Sequence, residues 1–411
     1  MKLLALLKTK DGKTLIENFI SLSSLQMVTM LLPLITLPYI LRVLGYEKFG
    51  IIALAASLIA YFQSVVDYSF KVTAVRDIAI HRNNPHQINI IYSRVMTVKI
   101  IFLTFAFALI GIIVYLYPPF FEEKQLFLYT ALSLIGFSLF PEWFFQGMEQ
   151  MKYITLINVT IRVLFTISIF IFVKEESDYI LYPLLTSVGV FISGIVGQVF
   201  LYKKFNIKFI VLTIKQIKET ISKNFPIFVN QFMPNLYNNT TSFLLGVLIS
   251  TEMLGIYTAI IRIIDICIVL LSIVSRVFFP LINRAKDTFL IYKNLMFTLV
   301  VIGLTILFLS HQLIFWYLGL NNPIALPILV ITGLSILGFV AYDIYGLNYF
   351  IVHRQDKLVM KNTIFCSIVG LIVATPLITL YGAIGAALTL FIGRFLMGGT
   401  LMYKYVRYKN V

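Results

Sequence analysis

The chain has 411 residues, 59% of them hydrophobic and only 12% charged, with a mean hydropathy of +0.92 and a formal net charge of +15. A water-soluble domain carries about twice that share of charge, so an ordinary soluble enzyme is excluded. The basic residues lie between apolar blocks instead of forming one patch, which argues against a nucleic-acid surface.

Blocks free of Asp, Glu, Lys, Arg and His recur at Phe19–Leu41, Phe49–Val66, Ile100–Phe121, Gln125–Pro141, Tyr179–Tyr202 and Asn224–Thr251. Crossing about 30 Å of hydrocarbon takes about 20 helical residues. Twelve spans are expected, at 18–41, 49–70, 92–117, 125–146, 153–173, 179–202, 225–249, 253–279, 289–310, 323–350, 358–380 and 383–403. The last two come from one ion-free stretch, Asn362–Gly393, too long for a single helix, with Tyr381-Gly382-Ala383 as the break.

Residues 1–17 read as a cytoplasmic leader. The apolar run after them is too long for a signal peptide and has no small-x-small cleavage pattern. Gly12-Lys13-Thr14 resembles the end of a P-loop, but Leu7 stands where the first glycine belongs and no strand precedes it, so no ATP site is expected. The histidines (His81, His86, His311 and His353) are scattered, and Cys267 and Cys366 lie inside spans as small core residues. Neither a metal site nor a disulfide is expected. No extramembrane segment outgrows 203–223, so no separate catalytic domain is expected either.

Charges at membrane depth cost about 2.5–3.5 kcal/mol each and face protein or water. Here they are Asp67, Lys99, Glu142, Arg162, Arg262, Asp265, Arg276, Asp343 and Arg394. In the fourth span Ser138, Glu142, Gln146 and Glu149 share a face. In the seventh, Gln231, Asn235, Asn238 and Ser242 fall within about 60°. In the eighth, Thr258, Arg262, Asp265, Ser272 and Arg276 fall within about 80°, a stripe about 27 Å long. Such rows also serve as glue between helices. Three striped helices together point instead to a hydrated cavity whose excess of cations suits an anionic cargo, with arginine gripping phosphate. Lys99, Arg162, Arg262, Arg276 and Arg394 are the candidate cationic lumen, and the amide row of the seventh span the candidate sugar contacts. Asp67, Asp265, Asp343 and Glu142 are candidates for coupling or gating. Asp265, one turn from Arg262, reads as structural. Asp67 is placed to pin the loop containing Arg76. Asp343, with no Lys or Arg within about ten positions on its helix, is the better proton carrier.

The basic connection 203–223 divides the chain into six-helix lobes, 18–202 and 224–403, with a tail at 404–411. Asn18-Phe19 matches Asn224-Phe225, and Glu47-Lys48-Phe49-Gly50-Ile51 matches Glu252-Met253-Leu254-Gly255-Ile256 at the same spacing to within one residue. Transporters are often built from such repeats.

Leu34-Ile-Thr-Leu-Pro-Tyr-Ile-Leu-Arg-Val-Leu-Gly45 with Phe49-Gly50, then Asp67-Tyr-Ser-Phe70, Ala74-Val-Arg-Asp-Ile-Ala79 and Pro141-Glu-Trp-Phe-Phe-Gln-Gly-Met-Glu-Gln-Met-Lys-Tyr153, resemble the Wzx-type O-antigen flippases. The resemblance is dense over 18–180, and Ser69 departs from the family's glycine. It implies an all-α polytopic membrane fold of the multidrug/oligosaccharidyl-lipid/polysaccharide exporter superfamily, with two six-helix lobes around a central cavity. It also implies that the chain is not an enzyme. The implied cargo is an undecaprenyl-diphosphate-linked oligosaccharide, flipped to the periplasmic leaflet of a bacterial inner membrane for O-antigen or related polysaccharide. Expected partners are the bilayer, a polysaccharide polymerase and a chain-length regulator, with no nucleic acid. No cofactor is expected beyond an H⁺ or Na⁺ gradient. Alternatives are an O-antigen polymerase or ligase, which would need a large periplasmic loop, a cation-coupled drug exporter with fewer interior arginines, and a non-transporting scaffold.

Lys and Arg concentrate in 1–17, in the second loop (Lys71, Arg76, Arg82), in 203–223, in later even-numbered loops and in the tail. The opposite loops carry Glu122, Glu123, Glu175, Glu176 and Asp178. The positive-inside rule then puts both termini in the cytoplasm. With Cys267 and Cys366 replaced, Ile210→Cys should resist an impermeant thiol reagent in intact cells, while Glu122→Cys and Glu175→Cys should react. Labelling at 210 would invert the topology.

Overall fold

The computed structural model describes residues 10–284 and 288–409; the side chains of 10–23, 230, 234–238, 280, 283–284 and 408–409 lie outside that description. In order, the helices are α1 (Lys10–Asp67), α2 (Phe70–His81), α3 (Pro85–Leu116), α4 (Pro118–Glu122), α5 (Lys124–Leu139), α6 (Glu142–Gly147) and α7 (Met151–Phe172). A 3₁₀ turn at Glu176–Ile180 leads into α8 (Leu181–Phe205). Then come α9 (Ile214–Leu248), α10 (Thr251–Arg284), α11 (Thr288–Leu309), α12 (His311–Leu318), α13 (Ala325–Ala341), a π-helical turn Tyr342–Ile351, and α14 (Asp356–Lys409). Among the described residues nine helices are long and apolar enough to cross a membrane. The two longest contain kinks at Gly45 (φ 71°) and Gly382 (φ 56°). Counted as two spans each, and with α9 added, they make up the expected twelve.

Several local expectations change. The loop expected between the first two spans is the single left-handed residue Gly45. The second loop is largely helix α2, begun after the left-handed pair Tyr68 and Ser69. Half of 203–223 is also ordered. Asn206 caps α8 in the left-handed conformation, and the Lys208 and Ile210 amides donate to Asn89 Oδ1 (3.0 Å) and Ser93 Oγ (2.8 Å) of α3. Thr213 and Gln216 then bond reciprocally and start α9.

Of the expected face of Ser138, Glu142, Gln146 and Glu149, only Glu142 and Gln146 stay together on one helix. Pro141 offers no N–H and disfavours the helical conformation before it, so α5 stops at Leu139 and α6 starts afresh at Glu142. Glu149 is left-handed (φ 58°) and pairs with Arg82 at 2.9 Å. The segment instead packs α6 on α2. A methyl group on Gly147 would meet Ile78 Cβ at 2.6 Å, and Trp143, Phe144 and Phe145 are buried beside Phe70 and Ile78.

The chain forms two compact units: Met1–Tyr39 with Leu58–Phe232, and Ile40–Ser57 with Met233–Val411. In the first, Gly136 and Gly194 bring α5 and α8 together; a methyl on Gly194 would lie 2.9 Å from the Gly136 carbonyl oxygen. In the second, Gly338 and Gly398 do the same for α13 and α14, at 2.2 Å. Small residues let membrane helices approach to backbone contact.

The tightest approach is in the second unit, between residues 46–50 of α1 and 251–255 of α10. A methyl on Gly50 would lie 1.7 Å from the Thr251 carbonyl oxygen, and one on Gly255 2.1 Å from that of Tyr46. Gly50 and Gly255 are corresponding positions of the internal repeat, and Tyr46 and Thr251 stand at the same separation, so the contact is reciprocal. The Tyr46 hydroxyl also donates to the Leu318 carbonyl (2.9 Å). Overpacking a tight contact costs about 1–3 kcal/mol. Gly50→Ala and Gly255→Ala should therefore lower the unfolding midpoint in detergent. Gly111→Ala and Gly303→Ala, with nothing within 4 Å of the added methyl, should leave it unchanged or raise it, Ala being favoured over Gly in a helix by about 0.8–1 kcal/mol.

Candidate functional site

Each unit holds its own charged cluster. In the first, Asp67 ends α1 and accepts from Lys99 Nζ of α3 and Lys71 Nζ of α2, both at 3.2 Å. Lys99 is 1% exposed, so removal of its acid would leave a cation buried without a counter-charge. Glu142 of α6 lies within electrostatic reach of Lys71 and of Arg162 on α7, and accepts from Gln146 at 3.1 Å. Arg162 Nη1 donates to Thr29 Oγ1 at 3.0 Å. Three cations thus share two carboxylates. Asp67 holds the segment containing Arg76 through Lys71, while Arg76 itself pairs with its neighbour Asp77 at 3.4 Å. Lys71 was assigned to a loop by sequence, and joins the cluster because α2 begins one residue before it.

In the second unit, Asp265 lies within electrostatic reach of both Arg262, its neighbour on α10, and Arg394 of α14. Arg394 Nη1 donates to Ser335 Oγ at 2.9 Å. Arg262 and Arg276 are exposed. Ser272 donates to its own helix, at the Ile268 carbonyl (2.8 Å), and adds nothing to the expected stripe. In the amide row of α9, Gln231 is exposed and Ser242 half-buried; the side chains of Asn235 and Asn238 lie outside the described residues.

Asp343 lies apart from these cations. It is 2% exposed and accepts from Ser275 Oγ of α10 (2.9 Å), from the Tyr292 hydroxyl of α11 and from Asn348 Nδ2 (3.3 Å). Sequence reasoning missed Asn348 because an α-helix sets positions five apart at about 140°. The π-helical turn brings them together, and such turns often mark functional sites. Ser275 and Tyr292 arrive from other helices and left no signal in the local pattern. Among the described residues no His, Cys, Asp and Glu cluster could hold a metal in the usual manner.

Removing one partner of a buried ion pair strands the other, at about 3–5 kcal/mol. Asp67→Asn should lower the unfolding midpoint in detergent, since it strands the enclosed Lys99, and Asp67→Asn with Lys99→Met should recover most of the loss. A double variant no better than the single one would show that the pairing is not what Asp67 supplies.

Residues 15–286 match the family described as polysaccharide biosynthesis protein. The chain is 26% identical over 400 residues to a protein of Escherichia coli (strain K12) described as "Putative O-antigen transporter", covering 95% of this chain and 96% of that one. A protein of Shigella dysenteriae with the same description is 24% identical, over 91% and 96% of the two chains. Among solved structures, a lipid II flippase MurJ in an inward closed conformation superposes with a TM-score of 0.74 at 14% identity, covering 95% of this chain and 87% of that one. An inward-facing multidrug resistance MATE transporter superposes at 0.62 and 13% identity, over 95% and 98%. These likenesses show the exporter fold. The chain belongs to the polysaccharide biosynthesis protein family, as a multi-pass membrane transporter and not an enzyme.

Proposed function

We propose that the protein flips undecaprenyl-diphosphate-linked oligosaccharide repeat units from the cytoplasmic to the periplasmic leaflet of the bacterial inner membrane, for O-antigen or a related surface polysaccharide. It does so by alternating access, with both termini in the cytoplasm. The observation that carries the reading is the surplus of cations over acids within each unit: Lys71, Lys99 and Arg162 about Asp67 and Glu142, and Arg262 and Arg394 about Asp265. Acids that merely neutralised these groups would match them one to one. A surplus suits a dianionic cargo, and guanidinium groups bind diphosphate oxygens in pairs. The O-antigen descriptions of the curated relatives support the same cargo.

Lys99 now has a supporting part, since Asp67 occupies its ammonium. The cargo-facing set is Arg162, Arg262, Arg276 and Arg394, joined by the half-exposed Lys71. The amide row of α9 supplies sugar contacts, and an ion gradient acting at Asp343 supplies the drive.

A charge-assisted hydrogen bond is worth about 1.5–3 kcal/mol, hence about tenfold or more in rate per contact. Arg262→Ala should abolish surface polysaccharide in cells and flipping of diphosphate-linked oligosaccharide in reconstituted vesicles, with the protein still accumulating in the membrane. Arg262→Lys should restore little if paired hydrogen bonding matters and much if charge alone does. Wild-type flipping by alanine variants at Lys71, Arg162, Arg262, Arg276 and Arg394 alike would overturn the cationic site.

A further inference from the structure

The last turns of α8 carry an exposed face on which Ile195, Val196 and Val199 stand open. With Phe200, Lys203 and Lys204 they line a shallow groove of about 450 Å³. Helical spacing sets these six positions in two adjacent rows, Ile195-Val199-Lys203 and Val196-Phe200-Lys204. Each row runs about 12 Å along the helix, from hydrocarbon to an ammonium group. Lysines in a last turn also complement the helix dipole and orient a span. Lys204 departs from that role. Its ammonium donates to the Tyr153 hydroxyl of α7 and lies 4.1 Å from the centre of that ring, while Asn206 caps α8.

The polar groups that converge at this end of the groove all offer hydrogens. Among the described residues neither Lys203 nor Lys204 has a carboxylate partner, and an ammonium has three hydrogens and no acceptor. Lys204 takes the oxygen of the Tyr153 hydroxyl, and among the described residues the hydrogen of that hydroxyl meets no acceptor. The Lys152 ammonium stands 5.7 Å from the centre of the same ring, which lies against Phe200 with centres 4.6 Å apart. Cations gathered about one aromatic pair repel one another, and an anion set among them would turn that repulsion into attraction.

We propose that this groove binds one anionic diacyl phospholipid of the bilayer. Its phosphate is held by Lys203, Lys204 and the Tyr153 hydroxyl, and an acyl chain lies along Ile195, Val196, Val199 and Phe200. A phosphate diester brings the acceptor oxygens these donors need, and basic pockets beside spans hold anionic headgroups in this way. A zwitterionic lipid carries its own cation, which the lysines repel. None of these residues belongs to the charged clusters about Asp67 and Asp265, so the site is separate from the proposed cargo path. In the orientation proposed above, the lipid comes from the cytoplasmic leaflet, and its headgroup ties the start of α7 to the end of α8.

Native mass spectrometry of the purified full chain in a neutral detergent counts bound lipids directly and needs no transport. The chain is titrated with dioleoylphosphatidylglycerol or dioleoylphosphatidylcholine at fixed ionic strength. The wild type should hold one phosphatidylglycerol more tightly than phosphatidylcholine by about tenfold or more. Lys203→Gln with Lys204→Gln should erase the preference, and Tyr153→Phe should reduce it. Lys215→Gln with Lys218→Gln, which removes the same charge from exposed positions of α9, should keep it. Equal affinity for the two lipids in the wild type, or full preference in the Lys203 and Lys204 double variant, would overturn the assignment. So would loss of preference in the α9 variant, which would mean attraction by net charge alone. Displacement by excess glycerol 1-phosphate would mean a phosphate site without lipid character, and displacement by an equal concentration of undecaprenyl diphosphate would give the groove to the cargo; either result also overturns it.

Discussion

Two backbones meet at Gly50 and Gly255 with no room for a single carbon between them, and much of the second unit follows from that contact. Two helices can lie so close only where neither carries a side chain, and the gain is direct packing of main chain on main chain. Residues 46–57 must leave the line of the first span to reach it. Gly45 provides the departure in one residue, with a positive φ that other residues rarely adopt. The Tyr46 hydroxyl then fixes the corner to the end of α12. Because the contact joins equivalent positions of the repeat, one geometric solution satisfies both copies.

Electrostatics divides the molecule in another way. In the first unit two carboxylates are shared among two lysines and an arginine from three other helices, and Lys99 among them is fully enclosed. In the second unit two carboxylates have opposite settings: Asp265 between two arginines, and Asp343 among hydroxyls and an amide. The same residue type thus serves as a brace in one place and as the centre of an uncharged polar cage in the other. The difference comes from which helices converge, not from any local sequence rule.

That contrast explains what could be read in advance. Spans, the Gly382 break and the interior charges follow from hydropathy and glycine chemistry, both local properties, so the sequence displays them. The stripe expected across Ser138–Glu149 failed because one proline resets the helix, and periodicity counted through it has no meaning. Lys71 was lost to a loop because α2 is short and polar enough to resemble one. The role of Lys99 turned on which cations reach Asp67, a tertiary matter. Asn348 was invisible because its partner lies at a π-helical and not an α-helical interval.

The excursion of 40–57 into the second unit also bears on biosynthesis. These residues are made well before their partner, since the glycine contact they require lies about 200 residues further along, on the order of 10–40 s of translation at about 5–20 residues per second. Through that interval the Gly50 surface has no Gly255 to meet, and a bare groove of exposed backbone must wait in the lipid or be held by another protein. A truncated messenger ending within the 203–223 connection would leave it waiting permanently, so a half-length product is an orphaned fragment rather than a smaller protein.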